Sequence, residues 1–164
     1  MEFQFQQQIG VDGASGDVTR GKLATGPATC THPKPPGGRC ILVDLIHNRL
    51  TAFEDGNAQR RVSPIRGGSA EDPSTRGVFQ MSSRRLRHHT SSEFPEPPDN
   101  MQFSMFYNRG QAIHQGPPTE PSHGCIYVGP PDAEGLFNWA GHSNIIVIVV
   151  KSTRRSPVCR RANT

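Results

Sequence analysis

Ile41-Leu-Val-Asp-Leu-Ile46, His47-Asn48 and Arg49-Leu-Thr-Ala-Phe-Glu54 decide the fold. One run is almost continuously apolar and the other mixes apolar and polar residues. The turn formers between them complete the pattern of a β-hairpin with a tight turn. Asp55-Gly56-Asn57 turns the chain again, so Ala58 to Arg66 reads as a third strand interrupted at Pro64. Proline brings no N–H to a ladder, which predicts an edge or a bulge there. Gly67-Gly68 to Thr75 is a loop, and Gly77-Val-Phe-Gln-Met81 is a fourth strand.

Further along, Phe103 to Tyr107 and Gln111 to His114, joined by Asn108-Arg-Gly110, form a second hairpin. Pro121 to Val128 leads into another strand, and Asp132 to Ala140 is one short helix between Pro130-Pro131 and Gly141. Asn144 to Val150, with the run IIVIVV, is a closing strand buried on both faces. Between these elements lie a stiff loop, Gln115 to Glu120, and a long polar one, Ser82 to Asn100, bearing Pro95, Pro97 and Pro98. A loop that long inside a compact domain is uncommon unless it covers a site. The expected fold is mainly β, a sheet sandwich or partly open barrel with one short helix and long surface loops. No internal repeat is visible.

At 164 residues the chain is one domain with tails. Residues 1–39 read as a flexible Gly/Pro-rich arm, 40–150 as the folded domain and 151–164 as a basic disordered tail. The 17 Gly and 15 Pro, against 33% hydrophobic residues, require much turn and irregular structure. The net charge of +4 divides into +1 for residues 1–40, −2 for 41–150 and +5 for 151–164. The basic character therefore belongs to the tail. Without a basic stripe with interleaved aromatics in the central region, nucleic acid is not the expected partner. The longest apolar run, six residues, is too short to span a membrane. Met1-Glu-Phe-Gln-Phe-Gln-Gln-Gln8 lacks a cationic start and an apolar run, so no Sec-type signal peptide is expected as written. The cysteines Cys30, Cys40, Cys125 and Cys159 are too few and dispersed for a disulfide scaffold, although Cys30 and Cys40 are close enough in sequence to pair.

Chemistry concentrates in Ser122-His-Gly-Cys-Ile126. A thiol is nucleophilic as its thiolate, and a neighbouring imidazole or aligned amide dipoles bring it toward that state. His123 is adjacent, and His114 lies at a strand end eleven residues upstream. Gly124 removes bulk before the sulfur, so the amides of Gly124 and Cys125 form a candidate oxyanion hole. These are the parts for acyl transfer. Two plainer readings stand beside it. A lone Cys is commonly a small buried hydrophobe, and His114, His123 and Cys125 are also a three-ligand zinc set, although with awkward spacing and no fourth ligand.

Ile41-Leu-Val-Asp-Leu45, Arg49 to Gly56, Pro73-Ser-Thr-Arg-Gly-Val-Phe79, Phe103-Ser-Met-Phe-Tyr107, Ala112-Ile-His-Gln-Gly116 and Ser122-His-Gly-Cys-Ile126 follow one another in that order. Together they resemble the L,D-transpeptidase catalytic domain family (YkuD-like) over about residues 40–150. The SHGC string after an upstream AIH is the specific part. The resemblance implies a β-sandwich enzyme that needs no cofactor or metal and acts on peptidoglycan stem peptides. Its cysteine attacks the bond after the L-centre of the third stem residue, usually meso-diaminopimelate, and D-Ala leaves. It makes Cys125 the nucleophile and His114 the general base and later acid. Ser122, His123 and Gly124 then shape the pocket and oxyanion hole, and the group that orients His114 stays open, with a main-chain carbonyl near Gln115 as a candidate. Such a base is expected to hold Cys125 in a thiolate–imidazolium pair.

On the substrate side the resemblance nominates Ser122, Tyr127, Tyr107 and His89, the last with His88, Ser91 and Ser92 as a His-Ser feature of the long loop. Tyr127 stands where relatives commonly carry an arginine, which replaces a bidentate charge with one neutral hydroxyl. The site of action implied is the periplasm or cell wall, reached by a specialised secretion route if no Sec signal exists. Three other uses remain open: an antibacterial effector with an immunity protein as partner, a carboxypeptidase or exchange enzyme, and a cell-wall binding module without turnover.

Overall fold

A computed structural model describes residues 38–142 and 144–151. Most of the expected arm and tail, with Cys30 and Cys159, lies outside the described residues. Order begins slightly earlier than expected: β1 (Arg39–Asp44) already includes Arg39, whose Nε bonds Glu54 at 3.0 Å. With β2 (Arg49–Glu54) it makes the expected hairpin. Its turn is four residues, Leu45 to Asn48, because the Asp44 carboxylate accepts the N–H groups of Ile46 and His47 (both 3.2 Å) and caps it. The next turn is the tight one. Asp55 (φ 49°) and Gly56 (φ 79°) both take left-handed backbone, as a two-residue hairpin turn requires, and lead into β3 (Asn57–Val62).

Pro64 does not mark a bulge in one long strand. β3 ends at Val62 in the first sheet, and β4 (Ile65–Arg66) pairs with a strand of the second. The imide has no N–H for the ladder, so pairing stops there and the chain crosses between layers. β5 (Gly77–Gln80) returns to the first sheet. The long loop is tied to the second by a two-residue strand, β6 (Arg85–Leu86), on β7 (Ser104–Asn108). β8 (Gln111–Gln115), β9 (Ile126–Val128), α1 (Asp132–Ala140) and β10 (Ile145–Val150) complete the order.

The result is a β-sandwich of two mixed five-stranded sheets, β3-β2-β1-β10-β5 and β4-β9-β8-β7-β6. β10 runs parallel to β1 and antiparallel to β5. Its central place explains its doubly apolar run: Ile145, Val147 and Val149 enter the core between the sheets, while Ile148 and Val150 pack outside with Cys40, Leu42 and Phe53. The second sheet supplies Ile65, Met105, Tyr107, Ile113, Ile126 and Val128 to the core. Helix α1 buries Ala133, Leu136 and Ala140 there and is gripped from both layers. Arg39 of β1 donates to the Trp139 carbonyl (2.6 Å), and Arg87 of the long loop reaches Glu134 (2.7 Å). Among the described residues no helix is long and apolar enough to cross a membrane.

Candidate active site

Strand alternation sets the site. Ile113 and Ile126 are paired neighbours in the parallel β8 and β9 ladder and both face the core. Ala112, His114, Cys125 and Tyr127 therefore turn to the opposite, outward face. His114 lies beside Tyr127 in register, with the rings edge-on at 5.1 Å. One step back, the Ala112 N–H meets the Cys125 sulfur at 3.5 Å.

His114 is 4% exposed, and its Nδ1–H donates to the Gln115 carbonyl at 2.8 Å. That bond selects the tautomer in which Nε2 carries the lone pair, the form a general base needs. Burial pulls its pKa down to about 4 against the opposing Gln115 carbonyl, and His89 lowers it further. At Cys125, burial pushes the thiol up and Glu93 adds to the rise, while the Ala112 N–H favours the thiolate. The thiol lies 3.9 Å from the Gly110 carbonyl. Desolvation thus disfavours both charges of the expected thiolate–imidazolium pair.

The SHGC turn is built by hydroxyls. Buried Ser122 donates to the Cys125 carbonyl (2.6 Å) and accepts the Gly124 N–H (3.1 Å). Ser74 also donates to the Cys125 carbonyl (3.2 Å) while accepting the Gly68 N–H (2.9 Å). Gly124 holds φ 102°, and a Cβ there would meet Gln111 Nε2 at 2.8 Å. Two expectations change. Ser122, nominated for substrate, is buried and turned to the Cys125 backbone, and the Gly124 amide, nominated for the oxyanion hole, is donated to Ser122. Sequence reasoning missed Ser74, Gly68 and Gln111. The double glycine was the available signal: a Cβ on Gly68 would meet the Ser74 nitrogen at 2.8 Å and the Gly124 Cα at 2.9 Å.

His123 stacks on Phe94 of the long loop, with centroids 4.1 Å apart and planes 23° from parallel. With Thr75, Glu93, Asn108, Arg109, Gly110 and Gln111 it lines a cleft of about 470 Å³. His114, His123 and Cys125 are not gathered as ligands; among the described residues no three His, Cys, Asp or Glu side chains are placed to hold a metal ion. His89 is half-buried edge-on to Phe106 (5.6 Å), with Arg84 against its Nε2 at 3.1 Å. His88 pairs with Asp99 at 2.9 Å, away from the thiol's contacts. Tyr107, nominated for the substrate side, is buried. It sits in the core against Phe79, its hydroxyl 3.4 Å from Gln111 Oε1, and burial pushes its phenol well above the usual range. Alternation from Phe106, which faces outward, sends Tyr107 in. Tyr127 does line the outward face, close over Gly116, where a Cβ would come 2.5 Å from its ring.

A family model described as the L,D-transpeptidase catalytic domain (YkuD) matches residues 38–150. A search of curated proteins returned no match. Among solved structures, an L,D-transpeptidase (Yku) from Stackebrandtia nassauensis is similar at 22% identity and TM-score 0.64, over 91% of this chain and 74% of that one. One from Xylanimonas cellulosilytica has 24% identity and TM-score 0.56 over 90% and 76%. For L,D-transpeptidase 1 of Mycobacterium tuberculosis the identity is 20% and the TM-score 0.57, over 68% of this chain and 61% of that one. This chain thus spans about three fifths of the mycobacterial protein's length. At these identities the structural likeness is one of fold.

Proposed function

Because the chain belongs to the L,D-transpeptidase catalytic domain family, we propose that it is a peptidoglycan-acting cysteine acyltransferase, with Cys125 as nucleophile and His114 as base. The carrying observation is that a half-buried thiol and an imidazole whose Nδ1–H is fixed on Gln115 share the outward face of the β8–β9 ladder. As sulfur attacks the carbonyl of the third stem residue, the thiol proton passes to His114 Nε2, so charge separation accompanies bond formation. The developing oxyanion is received at the Cys125 N–H, the next amide after the engaged Gly124. Collapse breaks the C–N bond, the imidazolium returns its proton to the leaving D-Ala amine, and a thioester remains. An amine of a second stem, a free D-amino acid or water then attacks it, giving cross-link, exchange or hydrolysis. Tyr127 and His89 flank the base on the substrate side, and His123 closes the cleft. This chemistry acts in the periplasm or cell wall.

Intact-protein mass spectrometry with a stem tetrapeptide or a carbapenem tests this reading. One adduct on Cys125, absent in a folded Cys125→Ser variant, supports it. Adducts on Cys30, Cys40 or Cys159 instead refute it.

A further inference from the structure

On the core side of the ladder that carries Cys125, one side-chain amide joins three parts of the chain. Ile113 and Ile126 are partners across β8 and β9, so Gln111 and Gly124, each two residues earlier, fall on the same side of the sheet. They meet there. A Cβ on Gly124 would lie 2.8 Å from Gln111 Nε2, 3.5 Å from its Cδ and 3.6 Å from its Cγ. The Gln111 side chain therefore runs along the Gly124 Cα, where the backbone takes a φ of 102° immediately before the nucleophile.

The amide is engaged at both of its polar atoms. Oε1 accepts the Thr75 N–H at 3.0 Å, and Nε2 donates to the Pro73 carbonyl at 3.2 Å. These two bonds grip the chain on either side of Ser74. The Ser74 hydroxyl in turn donates to the Cys125 carbonyl at 3.2 Å while accepting the Gly68 N–H at 2.9 Å. From the β7 side, the buried Tyr107 hydroxyl approaches Oε1 at 3.4 Å and Asn108 Nδ2 at 3.5 Å. Gln111 thus reaches the nucleophile twice, through Ser74 at its carbonyl and through Gly124 at its amide. Between those two supports lies the Gly124–Cys125 peptide, which carries the Cys125 N–H.

We propose that Gln111 is a positioning residue for acyl transfer, a role that rests on Cys125 acting as the acylated nucleophile. It holds the Cys125 N–H at the place where the oxyanion develops, without touching substrate or the proton in flight. Acylation builds negative charge on a carbonyl oxygen and draws on that N–H, so a displaced amide slows it. Alkylation by iodoacetamide displaces iodide from a saturated carbon and builds no oxyanion. It reports on the same sulfur without the amide. Loss of Gln111 therefore separates two reactions at one thiol, which a role confined to packing does not do.

The test compares two rates at Cys125 in the full chain, acylation by p-nitrophenyl acetate and alkylation by iodoacetamide, each product mapped to its cysteine by peptide mass spectrometry. Gln111→Met keeps a side chain of similar length along Gly124 and removes both hydrogen bonds. It is expected to slow acylation by about ten- to a hundredfold, to leave alkylation nearly unchanged, and with stem tetrapeptide to lower kcat more than it raises KM. Because Gln111 acts partly through Ser74, adding Ser74→Ala should cost less in Gln111→Met than in the wild type. Should Gln111→Met lose its fold by circular dichroism, Ser74→Ala carries the same comparison, and an unmoved ratio of the two rates there overturns the proposal. Both rates falling together in Gln111→Met, or neither falling, also overturns it, as does a wild-type ratio no higher than that of free cysteine. If p-nitrophenyl acetate shows the dependence on Gln111 while tetrapeptide and carbapenem leave Cys125 unmodified, the peptidoglycan reading fails and the positioning role stands. If those two acylate the wild type and Gln111→Met equally fast, the positioning role alone fails.

Discussion

Replacing His114 by alanine separates a base that acts during the reaction from one that ionises the thiol beforehand. The imidazole sits at about 4 and the thiol above its ordinary value of 9.0. Desolvation of both groups therefore favours the neutral thiol and neutral imidazole at neutral pH. Iodoacetamide alkylation of Cys125, followed from pH 5 to 10, is expected to rise along a single ionisation above the ordinary thiol range, with no plateau at lower pH. His114→Ala should leave that profile nearly in place, because it removes no resting charge. It should still slow acylation by tetrapeptide or carbapenem by about 10² to 10⁴, the worth of a positioned general base. His123→Ala, which loses the stack on Phe94, should slow acylation less and leave the thiol profile unchanged. A reactivity plateau below pH 8 that disappears in His114→Ala would refute the reasoning, since it requires the ion pair that burial disfavours.

Two further outcomes follow from the same geometry. The unfolded imidazole takes its proton near 6.5 and the folded one near 4, so between those values the unfolded chain binds more protons and stability falls as pH falls. The shift of 6.5 less about 4 corresponds to about 3 kcal/mol, to be read from urea midpoints at pH 7 and pH 4 as a loss that His114→Gln lacks; equal losses in both proteins would contradict it. Ser122→Ala removes the donor to the Cys125 carbonyl and strands the Gly124 N–H. It is expected to cost about 1–3 kcal/mol by chemical denaturation and to lower kcat more than it raises KM, and a variant with wild-type stability and kcat would show that the turn holds without it.

Local rules were enough wherever the signal was local. The hairpin of β1 and β2, the helix from Asp132 to Ala140 with Gly141 after it, and the six-residue apolar run of β10 were legible because hydrophobic period, turn residues and helix stops act within a few positions. So was the pairing of an AIH strand with an SHGC turn. The partner of His114, the Gln115 carbonyl, was not, since a main-chain hydrogen bond leaves no mark in the sequence.

What tertiary structure decided were properties that depend on which face and which sheet a residue joins. Pro64 announced a break in pairing, but the crossing to the second sheet exists because β4 finds β9 more than sixty residues away. Tyr107 and Phe106 are equally aromatic in sequence; alternation against a distant core buries one in the sandwich and sends the other to the site face. Ser74 and Gly68 support Cys125 from about fifty residues upstream, through hydrogen bonds and a close backbone approach that no spacing rule contains. The charge state of His114 and Cys125 is the clearest case. A cysteine and a histidine drawn side by side imply mutual stabilisation, whereas the desolvation that keeps both neutral arises from all the chain that folds over them.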